Sequence, residues 1–388
     1  MKFTRRRAFF WPAMMAGTAP HDPGAEAAFQ APDPGKPSAS QTPARLVSLR
    51  DIERRASSSM PRATWEFINS GAGDEWTVRW NEESFQRLRL QQRVMTDLSR
   101  LNTRVRLMGR ERPHPILLSP TSNHGMVHPQ GELETARGAG EAGAILIVST
   151  FADRPLEDIA RAATQPLWHA TYVMKDRGRT QDLLRRAEAV GCEAICVPVD
   201  SPVVGARDRE HRTYRFPREP VSFLDYPVDF WRFPTTWKDI DWIRSQTKLP
   251  LVLKGILDPA DAELGIRAGA QAIFVSNHGG RNLDTLPATL EVLSDVADKV
   301  AGRVPILVDG GVRRGTDVLK ALALGASAVA IGRPYLYGLA CSGAAGVRAV
   351  VNILRNELEM AMALTGRPTI ASIDRSVVHS MPVGPSRG

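Results

Sequence analysis

Eight short apolar runs recur between residues 116 and 334. They are ILLSP (116–120), AILIVS (144–149), LWHATY (167–172), AICVPVD (194–200), LPLVLKG (249–255), AIFVSN (272–277), VPILVDGG (304–311) and AVAIGRP (328–334). The runs are continuous and rich in β-branched residues, the pattern of parallel strands covered on both faces. Between them lie GELETARGAGEAG, PLEDIARAAT, RTQDLLRRAEAVG, a long segment from 201 to 248, DPADAELGIRAG, PATLEVLSDVADKV and GTDVLKALALGA. Most carry helical periodicity, and several end in glycine, as helix C-termini do. Eight strand–helix units predict an α/β protein built as a closed TIM (β/α)₈ barrel. An open doubly wound sheet would need fewer strands, and no G-x-G-x-x-G follows the first one. Ahead of the barrel, LVSLRDIERRA and RATWEFINSG read as amphipathic helices, an N-terminal helical extension.

A barrel also predicts where chemistry collects, at the C-terminal ends of its strands. The polar residues obey. Strand 1 ends in Ser119-Pro120-Thr121-Ser122, strand 2 in Ser149-Thr150, strand 3 in Tyr172 and strand 4 in Asp200. Strand 5 ends in Lys254, strand 6 in Ser276-Asn277-His278, strand 7 in Asp309-Gly310-Gly311 and strand 8 in Gly332-Arg333. The last two loops, DGGVRRGTD and GRP, suit a phosphate: Gly310, Gly311 and Gly332 admit close backbone, while Arg313 and Arg333 bring charge.

Charge narrows the classes little. Half of the formal +8 sits in the first 50 residues, where seven basic residues face three acidic ones. The rest is spread without lysine or arginine runs, which argues against nucleic-acid binding. Three cysteines (Cys192, Cys196, Cys341) make no metal-ligand spacing, and no metal site is expected. No stretch reads as long and apolar enough to span a bilayer. His21, His114, His128, His211 and His379 read as ordinary core or surface histidines; His278 differs in having Arg281 three positions on.

From about Leu46 to about Arg375 the chain resembles the FMN-dependent 2-hydroxy acid oxidising enzymes of the glycolate and lactate oxidase type. The resemblance is carried by SNHGGRN (276–282), LVLKG (251–255), DGGVRRGTDVLKALALGA (309–326) and IGRP (331–334). Further matches are SGAGDEWT (70–77), SPTS (119–122), HPQGELETARGAGEAG (128–143) and VDSPVVGARDRE (199–210). It implies an FMN cofactor as electron sink and a histidine base near neutral pKa, at His278. Asp200 matches the carboxylate that orients this histidine. Arg281 and Arg207 match guanidiniums that grip the substrate carboxylate, and Tyr172 a tyrosine that contacts the substrate. Lys254 matches the lysine beside flavin N1 and O2, and Ser149 and Ser276 match residues lining the flavin. Pro120, Thr121 and Ser122 match the strand-1 flavin loop. Asp309, Gly310, Gly311, Arg313, Gly332 and Arg333 match the phosphate and ribityl site. The partners implied are a 2-hydroxy acid, an acceptor that is oxygen, a quinone or a cytochrome, and further copies of the chain in a homotetramer.

Four positions depart from the family pattern. Phe67 stands for a second substrate-binding tyrosine, Ala170 for a glutamine on the flavin pyrimidine edge, Pro198 for a threonine beside it, and Ser122 for a small residue. His169 or Thr171 are candidates to supply the missing polar groups at the flavin edge. The segment 201–248 is short for the family, so a reduced lid and a more open pocket are expected. Two readings stay beside the oxidase: a flavin-dependent isomerase on the same barrel, which would need diphosphate-binding groups, and a non-catalytic FMN-binding scaffold.

Residues 1–44 stand outside the fold. TRRRAFFWPAMMAGTAP sets Arg6-Arg7 before a short apolar run and small residues up to Ala19, and so resembles a twin-arginine export signal. Residues 20–44, rich in Pro, Ala, Ser and Gly, read as a linker, leaving 45–380 as the barrel domain. The alternative is a basic tail on a cytoplasmic protein. Export predicts a mature chain outside the cytoplasm that lacks the arginine pair, checked by N-terminal sequencing of cell fractions. A full-length N-terminus in the cytosolic fraction contradicts it.

Overall fold

The structure is a computed structural model and describes residues 46–213 and 235–380. The leader and linker proposed for 1–44, and residues 214–234 of the expected lid, lie outside the described residues. All eight expected strands are present: β1 (Ile116–Leu118), β2 (Leu146–Ser149), β3 (Leu167–Ala170), β4 (Ile195–Pro198), β5 (Leu251–Ile256), β6 (Ala272–Val275), β7 (Ile306–Val308) and β8 (Ala328–Ile331). They pair in parallel and in sequence order, and the sheet closes where β8 meets β1, with Val329 opposite Ile116 and Ile331 opposite Leu118.

Strand alternation sorts the core into two clusters. One face of the strands turns inward, where Leu117, Ile147, Trp168, Ala170, Cys196, Val252, Phe274, Leu307 and Ala330 fill the barrel. The opposite face meets the helices in a second, larger cluster. Leu107, from a hairpin pairing Val105–Leu107 with Arg110–Arg112 just before β1, joins the interior cluster. Cys192 and Cys196 are buried free thiols, as expected; Cys341 is half-buried.

The helices follow local signals. Around the barrel run α4 (Glu132–Ala142), α5 (Leu156–Ala162), α6 (Arg177–Ala189), α7 (Asp208–Thr213), α8 (Trp237–Gln246), α9 (Pro259–Arg267), α10 (Thr289–Val300), α11 (Gly315–Ala323) and α12 (Arg333–Leu364). Before them come α1 (Leu49–Ser59), α2 (Arg62–Asn69) and α3 (Trp76–Gln86). Ser48 and Asp51 cap α1 reciprocally; Asp176 and Asp258 cap α6 and α9, the latter with Pro259 in its first turn. The third N-terminal helix was not expected. WTVRWNEESFQ spaces few apolar residues, and its N-cap, Glu75, is left-handed with no side-chain cap.

One expectation needs correcting. α12 has the length and apolarity of a membrane span, although half of that apolar window is buried and the helix packs on α1, α4 and α11. Its apolar surface is thus partly the outer wall of the barrel, which a sequence window cannot tell from lipid-facing surface.

Gly311 marks where α3 locks onto the barrel rim. Its φ is +82°, and a Cβ there would lie 1.9 Å from the Asn81 carbonyl oxygen. The glycine makes room for the helix backbone, and both strain and collision oppose any side chain. Gly311→Ala should therefore destabilise the fold by roughly 3 kcal/mol, read as a lowered midpoint of urea unfolding. An unchanged midpoint contradicts this packing.

Candidate active site

The C-terminal ends of the strands open into a cavity of about 520 Å³, within the usual range for a ligand site. All the predicted residues line it except Asp200 and Ser276, which stand directly behind. On β3, β4 and β6 regular pairing stops before the polar residues, at Ala170, Pro198 and Val275, so Tyr172, Asp200 and His278 sit on loops fixed by strand ends, whereas Ser149 and Lys254 stand on β2 and β5 themselves.

Lys254 is the charge at the floor. Its ammonium donates to Ser276 Oγ at 2.8 Å and lies 3.3 Å from Asp309 Oδ2, with both charged side chains under one-tenth exposed. Burial alone would lower its pKa; the carboxylates of Asp309 and Asp200 reverse this and hold it above the usual lysine range. Its ion pair is thus with Asp309, and Asp200 acts on it only through the field. Ser119 Oγ donates to the same Asp309 oxygen at 2.7 Å. The other oxygen, Oδ1, is buried without a partner.

Asp200 faces His278. The His278 Nδ1 lies 3.1 and 3.2 Å from the two Asp200 oxygens, and its backbone N–H donates to Ser276 Oγ at 3.0 Å. Burial would raise the Asp200 pKa, but the His278 ring, the Lys254 ammonium and a hydrogen bond from Ser201 hold it below the usual carboxylate value of 3.8. Ser201 is a hub that the motif reading missed. Its hydroxyl lies 3.1 Å from Asp200 Oδ1 and 3.3 Å from His278 Nδ1, accepts from Asn282 Nδ2 at 2.8 Å, and also bonds Tyr172.

The arginines carry the mouth. Arg281 Nη1 donates to the carbonyls of Phe67 and Ser70, both at 2.8 Å, and its guanidinium carbon lies 5.5 Å from the Phe67 ring centre. Arg333 donates to the carbonyls of Ile68, Gly279 and Ser70. Those of Phe67, Ile68 and Ser70 lie at the C-terminal end of α2 and just beyond it, where carbonyls lack helical partners and cations are favoured. Burial foremost, then Arg207 and Arg333, pulls the Arg281 pKa below its usual value, the cost of gathering guanidiniums in a buried place. Arg207 and Arg281 both approach the carboxylate of Glu210, another residue not singled out from the sequence. Its spacing in RDRE, three positions after Arg207, is the helical signal that could have found it.

At the far end, Arg313 pairs with Glu82 at 2.8 Å and keeps a buried Nε without a partner. Gly332 caps α12 with no side-chain hydrogen bond, leaving that helix N-terminus open toward the cavity it lines. Thr121 is held by His124 Nε2 at 2.8 Å and by Tyr335. Ser149 Oγ accepts the Phe151 N–H at 3.1 Å. An unpartnered donor at the Gly-rich end and an unpartnered acceptor at Asp309 suit a ligand with a phosphate and hydroxyl groups, which fits FMN.

Two expectations change. His169 and Thr171 do not stand in for the polar groups missing at Ala170 and Pro198: they are outward-facing on β3 and its extension, fully buried, and bonded to each other at 2.7 Å. Strand period places Ala170 inside and its neighbours outside. His211, taken for an ordinary histidine, lines the cavity, whereas His114 is a satisfied core residue bonded to the Ala142 carbonyl. Among the described residues no cluster suits a metal ion.

The chain matches the FMN-dependent dehydrogenase family over residues 56–380. It is 40% identical over 349 residues to a 2-hydroxyacid oxidase of Dictyostelium discoideum, spanning 86% of this chain and 90% of the relative. With 2-hydroxyacid oxidase 2 of Homo sapiens it shares 42% over 345 residues, 86% and 98% of the two chains. The solved structure of a mandelate oxidase with (S)-2-phenylpropionate is similar at a TM-score of 0.80 and 38% identity, covering 87% of this chain and 99% of that one. With its closed barrel and its rim of Lys254, His278 and Arg281, the chain belongs to the FMN-dependent dehydrogenase family.

Proposed function

We propose that this protein oxidises a 2-hydroxy monocarboxylic acid to the 2-keto acid, with His278 as base and Arg281 and Arg207 as the carboxylate grip. The observation that carries the reading is the His278–Asp200 pair opening into the same cavity as the two arginines. Lys254, Asp309 and Ser149, with Pro120, Thr121 and Ser122, would hold FMN at the floor, Ser276 positioning Lys254 from behind, and Gly310, Gly311, Arg313, Gly332 and Arg333 its phosphate end. Bound FMN supplies the acceptor for the two electrons leaving the substrate.

The chain's own work is orientation and proton transfer. Arg281 and Arg207 fix the substrate by its carboxylate, which turns the hydroxyl-bearing carbon toward the floor. Nδ1 of His278 faces Asp200, so the opposite nitrogen, Nε2, is the one free to take a proton from the substrate. Asp200 then stabilises the imidazolium, while Ser201 keeps both partners in register and Tyr172 supplies a hydroxyl on the substrate side. Phe67, Phe151, Val203 and Val204 give this end of the cavity apolar walls, which supports a substrate with an apolar side chain over glycolate. The substrate end carries the carboxylate-type pair His278 and Arg281, with the arginine charge partly answered by Glu210, which disfavours the isomerase reading.

Anaerobic mixing of the yellow holoprotein with a panel of 2-hydroxy acids should bleach flavin absorbance, most rapidly with apolar side chains, and air exposure then reports whether oxygen is the acceptor. In His278→Gln bleaching should slow by about 10²–10⁴-fold with FMN retained. Equal bleaching in the variant contradicts His278 as the base; no bleaching with any acid in the wild type supports the scaffold reading instead. Asp200 adds a stability check. Its folded pKa lies below 3.8, so its contribution is complete above that pH and is lost as pH falls through the folded value. Asp200→Asn should flatten the fall of unfolding free energy below pH 3.8; an unchanged acid limb in denaturant titrations contradicts an ionised Asp200.

A further inference from the structure

We infer that Glu210 sets the charge of the carboxylate site, cancelling one of two guanidiniums so that the site accepts one carboxylate and repels a second. The inference rests on the reading of Arg207 and Arg281 as the substrate's carboxylate grip.

Three groups converge on one oxygen of Glu210. Arg207 Nε lies 3.1 Å from Oε2, Arg281 Nη2 lies 3.4 Å from it, and Ser70 Oγ donates to it at 3.4 Å. The three charged side chains are 10–18% exposed, so their charges are screened far less than at the surface. Helix geometry makes the arrangement local: Arg207 just precedes α7 and Glu210 sits three positions on, both facing the cavity. The other nearby acids are engaged elsewhere. Glu66 and Glu75 both hold Arg209, at 2.7 and 2.9 Å, and Asp208 faces Arg212 in an exposed pair. Two acidic residues line the cavity among the described residues. Asp309 answers Lys254 at the floor, which leaves Glu210 to answer the arginine pair.

The contacts are also loose. Charge-assisted hydrogen bonds run at about 2.7–2.9 Å, whereas these are longer, and the buried Arg207 Nε makes no aligned hydrogen bond at all. Both guanidiniums can thus take up a better-aligned ligand carboxylate while Glu210 stays beside them. Two cations and one resident anion then leave a single positive charge to be met. A ligand carrying a second carboxylate must place it in the field of Glu210, where like charges in a low dielectric are unfavourable. Arg333 adds field from the phosphate end, where each of its three nitrogens is anchored by a hydrogen bond to a backbone carbonyl.

Malonate and propionate test this without turnover, since neither carries a hydroxyl to oxidise. Binding to the holoprotein is read from the perturbed flavin spectrum and by calorimetry at about pH 7.5, where malonate is a dianion. The wild type should bind propionate at least as tightly as malonate. Glu210→Gln, which keeps shape and removes charge, should shift the ratio toward malonate by about tenfold, while Glu210→Asp should keep the wild-type preference. A wild type that already prefers malonate, or binds neither anion, overturns the inference, and this comparison decides even if a variant fails to fold. An unchanged ratio in Glu210→Gln overturns it as well. Absence of bleaching with every hydroxy acid, beside the expected anion preference, would remove the oxidase reading and leave the role of Glu210 standing.

Discussion

The rim of this barrel depends on one buried ammonium. Lys254 comes from β5 and is met by Ser276 beyond β6 and by Asp309 beyond β7, which Ser119 at the end of β1 holds in turn. An unpaired charge at that depth would cost several kcal/mol, so the four strand ends cannot shift independently. Ser276 also accepts the backbone N–H of His278, whose φ of +57° is left-handed. A non-glycine residue held there stores about 1–3 kcal/mol of strain. The floor charge, the loop conformation and the position of the imidazole are therefore one mechanical unit.

A second unit joins the N-terminal extension to the mouth. Arginines from far down the chain reach the last carbonyls of α2: Arg281 takes those of Phe67 and Ser70, and Arg333 those of Ile68 and Ser70. The helix terminus supplies unpaired acceptors, and the arginines supply donors that would otherwise be buried unsatisfied. Phe67 belongs to this join as much as to the pocket. Its carbonyl anchors Arg281 and its ring lies against the guanidinium, so the position keeps a structural task where the family pattern has a tyrosine hydroxyl.

The altered floor edge has a geometric consequence. Ala170 lies inside the barrel and Pro198 ends β4, so neither can donate or accept through a side chain at the place the family pattern fills with glutamine and threonine. The polar pair nearest in sequence, His169 and Thr171, is sealed on the other side of the strand, where burial brings the His169 pKa down to about 4 and keeps the ring neutral. A two-residue period decides this outright: on one strand, adjacent positions cannot serve the same face.

Strand count, strand identity and the chemistry of the rim were legible in the chain because each is local. Continuous apolar runs such as AIFV announce buried strands, and polar residues immediately after them must lie at strand ends. The glycine ends and the Ser48 and Asp258 caps are local signals too. What the chain could not disclose were facts of approach between distant segments. The Asn81 backbone lies where a Gly311 side chain would be, Asp309 and not Asp200 takes the Lys254 ammonium, and Glu210 stands between two arginines expected to be free for substrate. Composition fixed which groups were present and which strand ends carried them; only closure of the barrel, which brings β8 beside β1 and lays α2 and α3 across the rim, decided which of those groups meet.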